Sequence, residues 1–285
     1  MRKSQVILII TCFMMLLQAF VIKASPLTFI TKLEEGHEAA VPIIMYHVLS
    51  ENPKNKWEIT PQEFEDDLQY LIKNGYTTVF LQDLIDFVEN GVALPERPIV
   101  LTFDDGRDST MTKMLPLLQK YDAKASLAII GAETDRYTQI SIENKNIKKR
   151  PHLTWDDVNE LLKSGHIEIF NHSYDLHGST GAGQKKGESD DAYRARFLRD
   201  IGVFDEVLQK NTAITTRSFA YPLGIFNKIS DTILSEAGYA ISLTCRENTN
   251  SIRVGDSSSL LGMNRLLRPP RVTSEAFFED KFVDE

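Results

Sequence analysis

Apolar runs alternate with amphipathic stretches along most of this chain. Short apolar runs are typical of buried strands, and segments with apolar residues three and four apart are typical of helices packed on a sheet. The first helix has a clear start, because Thr60 and Glu63 form a capping box around Pro61. The pattern predicts strands at 41–49, 77–80, 98–103, 125–130, 167–170, 218–221, 239–243 and 263–267, and helices at 61–74, 81–89, 110–121, 154–163, 190–209 and 229–237.

Strands and helices that alternate at this spacing indicate parallel βαβ units and an α/β fold. Seven or eight such units suit a (β/α) barrel. In such a barrel the catalytic side chains lie at the C-terminal ends of the strands. We therefore look for chemistry directly after the apolar runs.

The first residues have the order of a secretory signal peptide. Arg2 and Lys3 precede an apolar run at 6–22, and the small residues Ala24 and Ser25 follow it. The run is also nearly long enough to span a bilayer, so an uncleaved anchor is the alternative. We predict a signal or anchor at 1–24, a linker at 25–40 and one domain at 41–285. The domain is then secreted or held at the outer face of the membrane.

The charge balance restricts the partners of this domain. The chain has 40 acidic and 32 basic residues and a net charge of −8. An acidic surface argues against nucleic acid, whose phosphates need a basic face, and is compatible with a neutral or cationic glycan. Cys245 is the only cysteine beyond the leader, so no internal disulfide is available. We expect a monomer that meets the membrane only through its N-terminal segment.

Candidate metal chemistry follows two of the apolar runs. Asp104 and Asp105 come after the run at 98–103, and adjacent residues on a strand point to opposite faces. One carboxylate can therefore bind a metal while the other handles a proton. His172 and His177 follow the run at 167–170, but five residues span about 140° on a helix, so a shared metal needs a loop between them. Two imidazoles and a carboxylate leave positions open for water and substrate, as a catalytic metal requires.

Each of these features alone also fits an ordinary structural role. Paired acids before Gly106 often form a solvated turn, and the two histidines fit an exposed loop. His47, after the apolar residues of the first strand, fits a buried core histidine. Their combination favours a metal-dependent hydrolase.

Two sequence blocks resemble a known family. Residues 102–106 (TFDDG) and 171–177 (NHSYDLH) resemble the first two motifs of the polysaccharide deacetylases, the NodB-homology or carbohydrate esterase family 4 enzymes. The resemblance covers residues 41–271 and implies a distorted, seven-stranded (β/α) barrel. It implies that Asp104 is the catalytic base and that Asp105, His172 and His177 hold a divalent metal, usually Zn²⁺. The same ligands also accept Co²⁺, Ni²⁺ or Fe²⁺.

At two points the sequence departs from the common pattern of the family. At both points it resembles one branch of that family. Most members space the two histidines four apart, and a spacing of five resembles the poly-β-1,6-N-acetylglucosamine deacetylases. That branch is circularly permuted and carries its general acid early, in a Tyr-His context. Tyr46-His47 fits this position, and no histidine follows His177. The resemblance therefore implies that His47 is the general acid.

Residues 217–224 (RSFAYPLG) resemble the third motif of the family. The resemblance implies that the backbone N–H of Leu223 stabilises an oxyanion. The arginine that usually orients the base falls at Ala220. Arg217, three residues earlier, either replaces it or faces solvent, and the sequence leaves both open.

The resemblance implies an enzyme that removes N-acetyl groups from N-acetylglucosamine in an extracellular or cell-wall polysaccharide. The alternative is a non-catalytic glycan-binding module that keeps the fold. The altered third motif favours this alternative. The linkage and length of the glycan, and its identity as wall polymer, biofilm polymer or chito-oligosaccharide, are not encoded in these motifs.

Overall fold

The computed structural model describes residues 32–144, 147 and 150–281. The predicted leader at 1–24 and the first part of the predicted linker, up to residue 31, lie outside these residues. From Lys32 onward the chain forms one compact unit. Within the described ranges no helix has both the length and the apolar character needed to cross a membrane.

The described residues form twelve strands and eight α-helices. The strands are β1 (Glu38–Ala40), β2 (Ile43–Tyr46), β3 (Val48–Leu49), β4 (Glu58–Ile59), β5 (Thr77–Val79), β6 (Pro98–Phe103), β7 (Ala125–Ile129), β8 (Ile167–Asn171), β9 (Ser218–Ala220), β10 (Ile241–Leu243), β11 (Ser251–Arg253) and β12 (Leu266–Leu267). The helices are α1 (Pro61–Lys73), α2 (Leu81–Asn90), α3 (Leu115–Tyr121), α4 (Gly131–Glu143), α5 (Trp155–Lys163), α6 (Asp190–Thr212), α7 (Ser230–Glu236) and α8 (Ser274–Lys281).

The main sheet is parallel throughout and curls into a barrel. Its strand order is β10-β9-β8-β7-β6-β2-β12, and β5 also pairs with β6. The ring closes through the last strand segment, because Met263 exchanges backbone hydrogen bonds with β10 shortly before β12 pairs with β2. The predicted α/β fold, a distorted barrel with seven strands around the ring, is confirmed.

The predicted first strand differs in detail from the observed one. The run at 41–49 is divided into β2 and β3, with His47 between them. β2 pairs with β6 of the barrel, whereas β3 pairs with the short β4. The chain therefore leaves the barrel wall at His47, which places this side chain at the edge of the barrel.

Five elements lie outside the predicted pattern, namely α4, α8, β1, β4 and β11. α4 has only Gly131 and Thr134 buried, so it lacks an apolar stripe in the sequence. β1 and β11 form a separate antiparallel pair, with Glu38 opposite Arg253. Residues 38–40 of the predicted linker are therefore part of the folded unit.

Two apolar layers support the barrel. The residues inside the barrel include Ile43, Val100, Ala128, Phe170 and Leu243. A second layer fills the space between the outer face of the sheet and the helices. Since both faces of the sheet are covered, its strands are almost continuously apolar, as expected of a parallel sheet.

Candidate metal centre and active site

The candidate site lies where parallel strands of the barrel end. β2 ends one residue before His47, β6 one residue before Asp104, and β8 one residue before His172. Parallel strands present these ends at one edge of the barrel. The three apolar runs therefore deliver their polar residues to the same place.

Asp105, His172 and His177 form a compact group of potential metal ligands. One ligand atom from each lies within 4.8 Å of the others. The Oδ1 atom of Asp105 is 3.2 Å from Nε2 of His177 and 3.6 Å from Nε2 of His172. The structure thus brings together the three residues that the sequence suggested as ligands.

The imidazole of His172 is oriented for coordination. Its Nδ1 lies 2.9 Å from the carbonyl oxygen of Ala220, which can only accept a hydrogen bond. Nδ1 therefore carries the proton and Nε2 presents its lone pair towards Asp105. Burial lowers the pKa of His172, which favours the neutral form that binds metals.

Asp105 supplies an independent test of whether a cation fits this position. Burial alone would raise its pKa, but the imidazoles of His177, His172 and His47 hold the pKa well below its ordinary value. Among the described residues its buried Oδ1 has no aligned hydrogen-bond donor. A buried, ionised oxygen facing two imidazole nitrogens fits a divalent cation of the zinc type.

A short loop between His172 and His177 lets both imidazoles face the same position despite their spacing of five residues. Ser173 follows His172 with φ 74°, and its N–H donates to the side chain of Asn171 at 2.6 Å. Asp200 of α6 accepts hydrogen bonds from the N–H groups of Tyr174 and Asp175, both at 2.8 Å. The loop is therefore fixed from two sides, and it returns His177 to the ring of His172, with ring centres 5.1 Å apart.

Left-handed backbone conformations occur at three residues of this edge. Asp105 (φ 74°), Ser173 (φ 74°) and Leu223 (φ 59°) all adopt them without being glycine. Such residues cost of order 1–3 kcal/mol each and persist where the surroundings hold them. At Asp105 the support is visible, because its carbonyl oxygen lies 2.9 Å from Nδ1 of His152.

Asp104 is held by an arginine that the sequence motifs did not indicate. Arg265, fully buried, donates from Nη1 and Nη2 to the two carboxylate oxygens at 2.7 and 2.8 Å. Burial alone would raise the pKa of Asp104, but the Arg265 guanidinium and nearby imidazoles lower it. Asp104 is therefore ionised and fixed in orientation beside the metal-ligand group.

His47 lies on the other side of Asp104. Its Nε2 is 3.9 Å from Oδ2 of Asp104. Its Nδ1 is buried and has no hydrogen-bond partner among the described residues, and burial lowers the pKa of the imidazole. His47 therefore lies at the site. The alternative interpretation, a core histidine with all its hydrogen bonds made, does not fit.

Leu223 lies in a short 3-10 turn, Pro222–Gly224, that follows β9. The turn begins two residues after Ala220, whose carbonyl oxygen binds His172. Leu223 keeps 52% of its surface exposed in this turn.

Arg217 is remote from the base. It lies before β9 and makes a two-pronged ion pair with Glu89 of α2, both distances being 2.8 Å. Of the two alternatives left open by the sequence, the structure places Arg217 away from Asp104, and Arg265 supplies the guanidinium. The available signal was an arginine directly before the last apolar strand, in a chain whose third motif lacked one.

The fold and the site geometry define a parallel (β/α) barrel with a candidate three-ligand metal centre. Beside that centre lies Asp104, which is paired with Arg265. The family model for polysaccharide deacetylase matches residues 91–242. The chain belongs to the polysaccharide deacetylase family, as the resemblance of its motifs predicted.

Individual relatives agree with this assignment. The chain is 26% identical over 242 residues to the putative polysaccharide deacetylase YxkH of Bacillus subtilis, covering 84% of this chain and 75% of that protein. It is 25% identical over 228 residues to the poly-β-1,6-N-acetyl-D-glucosamine N-deacetylase of Escherichia coli K12, covering 73% of this chain. The match spans only 34% of the E. coli protein.

A solved structure supports the fold. The Streptococcus pyogenes deacetylase PplD, solved in complex with acetate, superimposes with a TM-score of 0.70. The match covers 85% of this chain and 98% of that one at 22% identity. At this identity the likeness concerns the barrel and its topology.

Proposed function

We propose that this protein is a metal-dependent hydrolase that removes N-acetyl groups from N-acetylglucosamine residues of an extracellular or cell-wall polysaccharide. The observation that carries the proposal is the group of Asp105, His172 and His177 beside Asp104, which is ionised and held by Arg265. Membership of the polysaccharide deacetylase family and the similarity to a poly-β-1,6-N-acetyl-D-glucosamine N-deacetylase support the choice of substrate class.

Asp105, His172 and His177 are the residues that would hold the cation. When bound, a divalent metal would polarise the acetyl carbonyl and lower the pKa of water from about 16 towards about 7. Zn²⁺ is the metal that we expect, and Co²⁺, Ni²⁺ and Fe²⁺ suit the same ligands.

The protein's own groups carry the proton transfers. Asp104 accepts a proton from the attacking water as the water oxygen forms a bond to the acetyl carbon. Arg265 keeps this carboxylate ionised and points it in one direction. The backbone N–H of Leu223 donates to the oxyanion that develops, a contribution of about 3 kcal/mol for a well-placed donor.

His47 acts on the leaving group. The carbon–nitrogen bond breaks only when the amine does not have to leave as an anion, so His47 donates a proton to that nitrogen. Burial lowers the pKa of this imidazole, but the carboxylates of Asp104 and Asp105 oppose that effect and favour the protonated form that this step needs. Nε2 of His47 lies 3.9 Å from Oδ2 of Asp104, which is close enough for the two groups to act on the same acetamide. The products are acetate and a glucosamine residue with a free amine.

The alternative, a glycan-binding module without activity, was favoured by the missing arginine of the third motif. That argument weakens because Arg265 supplies a guanidinium to Asp104 from a different segment. The metal-ligand residues and both proton-transfer residues are also retained.

The N-terminal segment and the charge balance support a proposal for the location and the partners. We infer export through the signal or anchor at 1–24, action outside the membrane, and an acetylated glycan as substrate. The acidic net charge of −8 gives no basis for binding nucleic acid. We expect the protein to act as a monomer.

Acetate release from a panel of acetylated glycans tests the proposal. The panel contains β-1,6-linked N-acetylglucosamine oligomers, β-1,4-linked chito-oligosaccharides and cell-wall glycan, each with metal-loaded and chelator-treated full-length protein. We expect release from at least one glycan, loss of release after chelation and recovery on adding one equivalent of Zn²⁺. Binding of these glycans without any acetate release would favour the alternative, and undiminished release after chelation would exclude the metal mechanism.

A further inference from the structure

Trp57 is an exposed aromatic side chain at the edge of the candidate site. It keeps 37% of its surface exposed. Its ring centre lies 4.6 Å from that of His47, with the two planes tilted by 49°. A single exposed apolar residue is ordinary on a protein surface, but this one contacts the group that we assign as general acid.

The backbone that carries Trp57 is fixed. Its N–H donates to the side chain of Asn55 at 2.9 Å, and its carbonyl oxygen accepts from the N–H of Val48 at 3.2 Å. The next residues form β4, which pairs with β3 directly after His47. Because the backbone is fixed before any ligand arrives, the indole can bind one at low entropic cost.

The other tryptophan of the chain has a different environment. Trp155 is 4% exposed, and its indole N–H donates to Asp135 at 2.7 Å. Within the described part of the chain, the indole N–H of Trp57 makes no comparable hydrogen bond. Trp57 therefore offers both an apolar ring and a spare donor, the combination found where binding sites meet water.

Lys56 lies against this ring in the absence of a ligand. Its Nζ is 4.6 Å from the centre of the Trp57 ring, and its side chain is exposed. Such a cation–π contact at an exposed site is weak, so a ligand can displace the flexible ammonium. The ammonium then remains beside the ligand as a positive charge.

We propose that Trp57 is a substrate-binding residue whose indole stacks on the pyranose ring of the N-acetylglucosamine unit being deacetylated. This inference rests on the proposed function and names a residue for its substrate class. β-Linked glucosamine carries its ring substituents equatorially, so its axial C–H bonds form an apolar face that matches an indole. The ammonium of Lys56 disfavours a sugar that already carries a charged free amine, so acetylated units are preferred over product.

Intrinsic fluorescence gives a direct test, because the chain has two tryptophans and one is buried. The probe is a β-1,6-linked N-acetylglucosamine pentamer added to metal-loaded Asp104→Asn protein, which we expect to bind without turnover. We expect a saturable change in emission, and no change when Trp57→Phe is added to this background. The fully deacetylated pentamer should bind at least fivefold more weakly, and the difference should shrink with Lys56→Ala.

Kinetics of acetate release in the otherwise native protein separate binding from positioning of His47. Trp57→Ala should raise KM about tenfold and leave kcat within twofold, whereas Ile72→Ala, which removes an exposed apolar side chain on α1, should change neither. Unchanged KM and unchanged oligomer affinity in Trp57→Ala would overturn the inference. A fall in kcat at constant KM would also overturn it, since Trp57 would then only position the imidazole.

The inference and the proposed function fail in different ways. Saturable fluorescence that depends on Trp57, without acetate release by the native protein, would contradict the hydrolase and leave the binding role intact. Acetate release with the same KM in Trp57→Ala as in the native protein would contradict the binding role of Trp57 and leave the hydrolase intact.

Discussion

Two buried aspartate–arginine pairs flank the last barrel strand, and they differ in what surrounds them. Arg265, before β12, pairs with Asp104 at the edge of the barrel, and Arg268, after β12, pairs with Asp67 of α1. All four side chains are at most 2% exposed. The two pairs therefore have the same residue types and similar burial. A difference between the pKa values of their aspartates must come from the geometry and the surroundings of each pair.

Their hydrogen-bond geometry is different. Arg265 binds both oxygens of Asp104 with two separate nitrogens, at 2.7 and 2.8 Å. Arg268 offers Asp67 only Nε, shared between the two oxygens at 2.9 and 3.1 Å, and its remaining donors bind backbone carbonyls. A two-nitrogen fork is the stronger arrangement for a carboxylate.

The pKa directions follow this geometry. Burial would raise the pKa of both aspartates, and at Asp104 the Arg265 fork and the nearby imidazoles reverse the effect. At Asp67 burial prevails, and its pKa is raised despite Arg268 and the hydroxyls of Ser274 and Tyr46. The Arg265 pair thus keeps a carboxylate of the site in its charged form, whereas the Arg268 pair connects α1 to the segment after β12.

The largest expected effect comes from neutralising the carboxylate at the site. Asp104→Asn should lower kcat for acetate release by about 10²- to 10⁴-fold, because a general base is lost. Metal content, measured by mass spectrometry, should stay at one equivalent. Asp67→Asn is the matched control and should keep kcat per folded molecule within a few-fold. Comparable turnover in the two variants would contradict the assignment of Asp104 as base.

Breaking the second pair should affect stability. Arg268→Met leaves Asp67 buried without its cation, and losing one partner of a buried pair costs about 3–5 kcal/mol. Urea unfolding followed by circular dichroism measures this loss. The folded fraction should retain its kcat, whereas Arg265→Met should lose both stability and turnover. Equal kcat in both arginine variants would show that Arg265 has no role in the chemistry.

A third carboxylate extends the comparison, because Glu168 of β8 is paired with no arginine or lysine among the described residues. It accepts hydrogen bonds from Ser126 and from the N–H groups of Leu81 and Gln82 at the start of α2. Burial nevertheless raises its pKa from the ordinary 4.5 to about 7. The folded state therefore binds this proton more tightly than the unfolded state does.

The sign of the effect on stability is fixed by that shift. The contribution of Glu168 is fully present below about pH 4.5 and is lost as pH rises through about 7, by up to about 1.4 kcal/mol for each pH unit. Glu168→Gln should lack this decline. Urea unfolding at pH 5 and pH 8 in both proteins measures it. An identical pH dependence in the two proteins would contradict the raised pKa.

The smallest expected effect is at Arg217, whose side chain is 44% exposed in its pair with Glu89. An exposed pair of this kind contributes about 0–1 kcal/mol. Arg217→Ala should therefore change the free energy of unfolding by less than about 1 kcal/mol and leave kcat within twofold. A tenfold loss of turnover would return the role of the motif arginine to Arg217.

The barrel and the site ligands were predictable because their signals are local. Residues 98–106 contain a whole strand and both carboxylates, and residues 167–177 contain the next contributing strand and both histidines. Parallel strands then bring their ends together without further information. The recognition of these blocks also gave the family correctly.

The residues that escaped prediction depend on contacts across the chain. Arg265 meets Asp104 over 161 residues, and its place directly before the last apolar strand does not by itself identify Asp104 as its partner. The helix α4 buries only Gly131 and Thr134, so no apolar periodicity marks it. Long-range pairing and weakly packed elements have no local pattern, and only the folded chain shows them.

The most direct test of the account is the position of the cation. Crystals of the zinc-loaded protein, measured at the zinc absorption edge, should show one anomalous peak about 2.0–2.2 Å from the ligand atoms of Asp105, His172 and His177. Asp104 should remain in its fork with Arg265 and outside the coordination sphere. A peak elsewhere, or one coordinated by Asp104 in place of a histidine, would contradict the account.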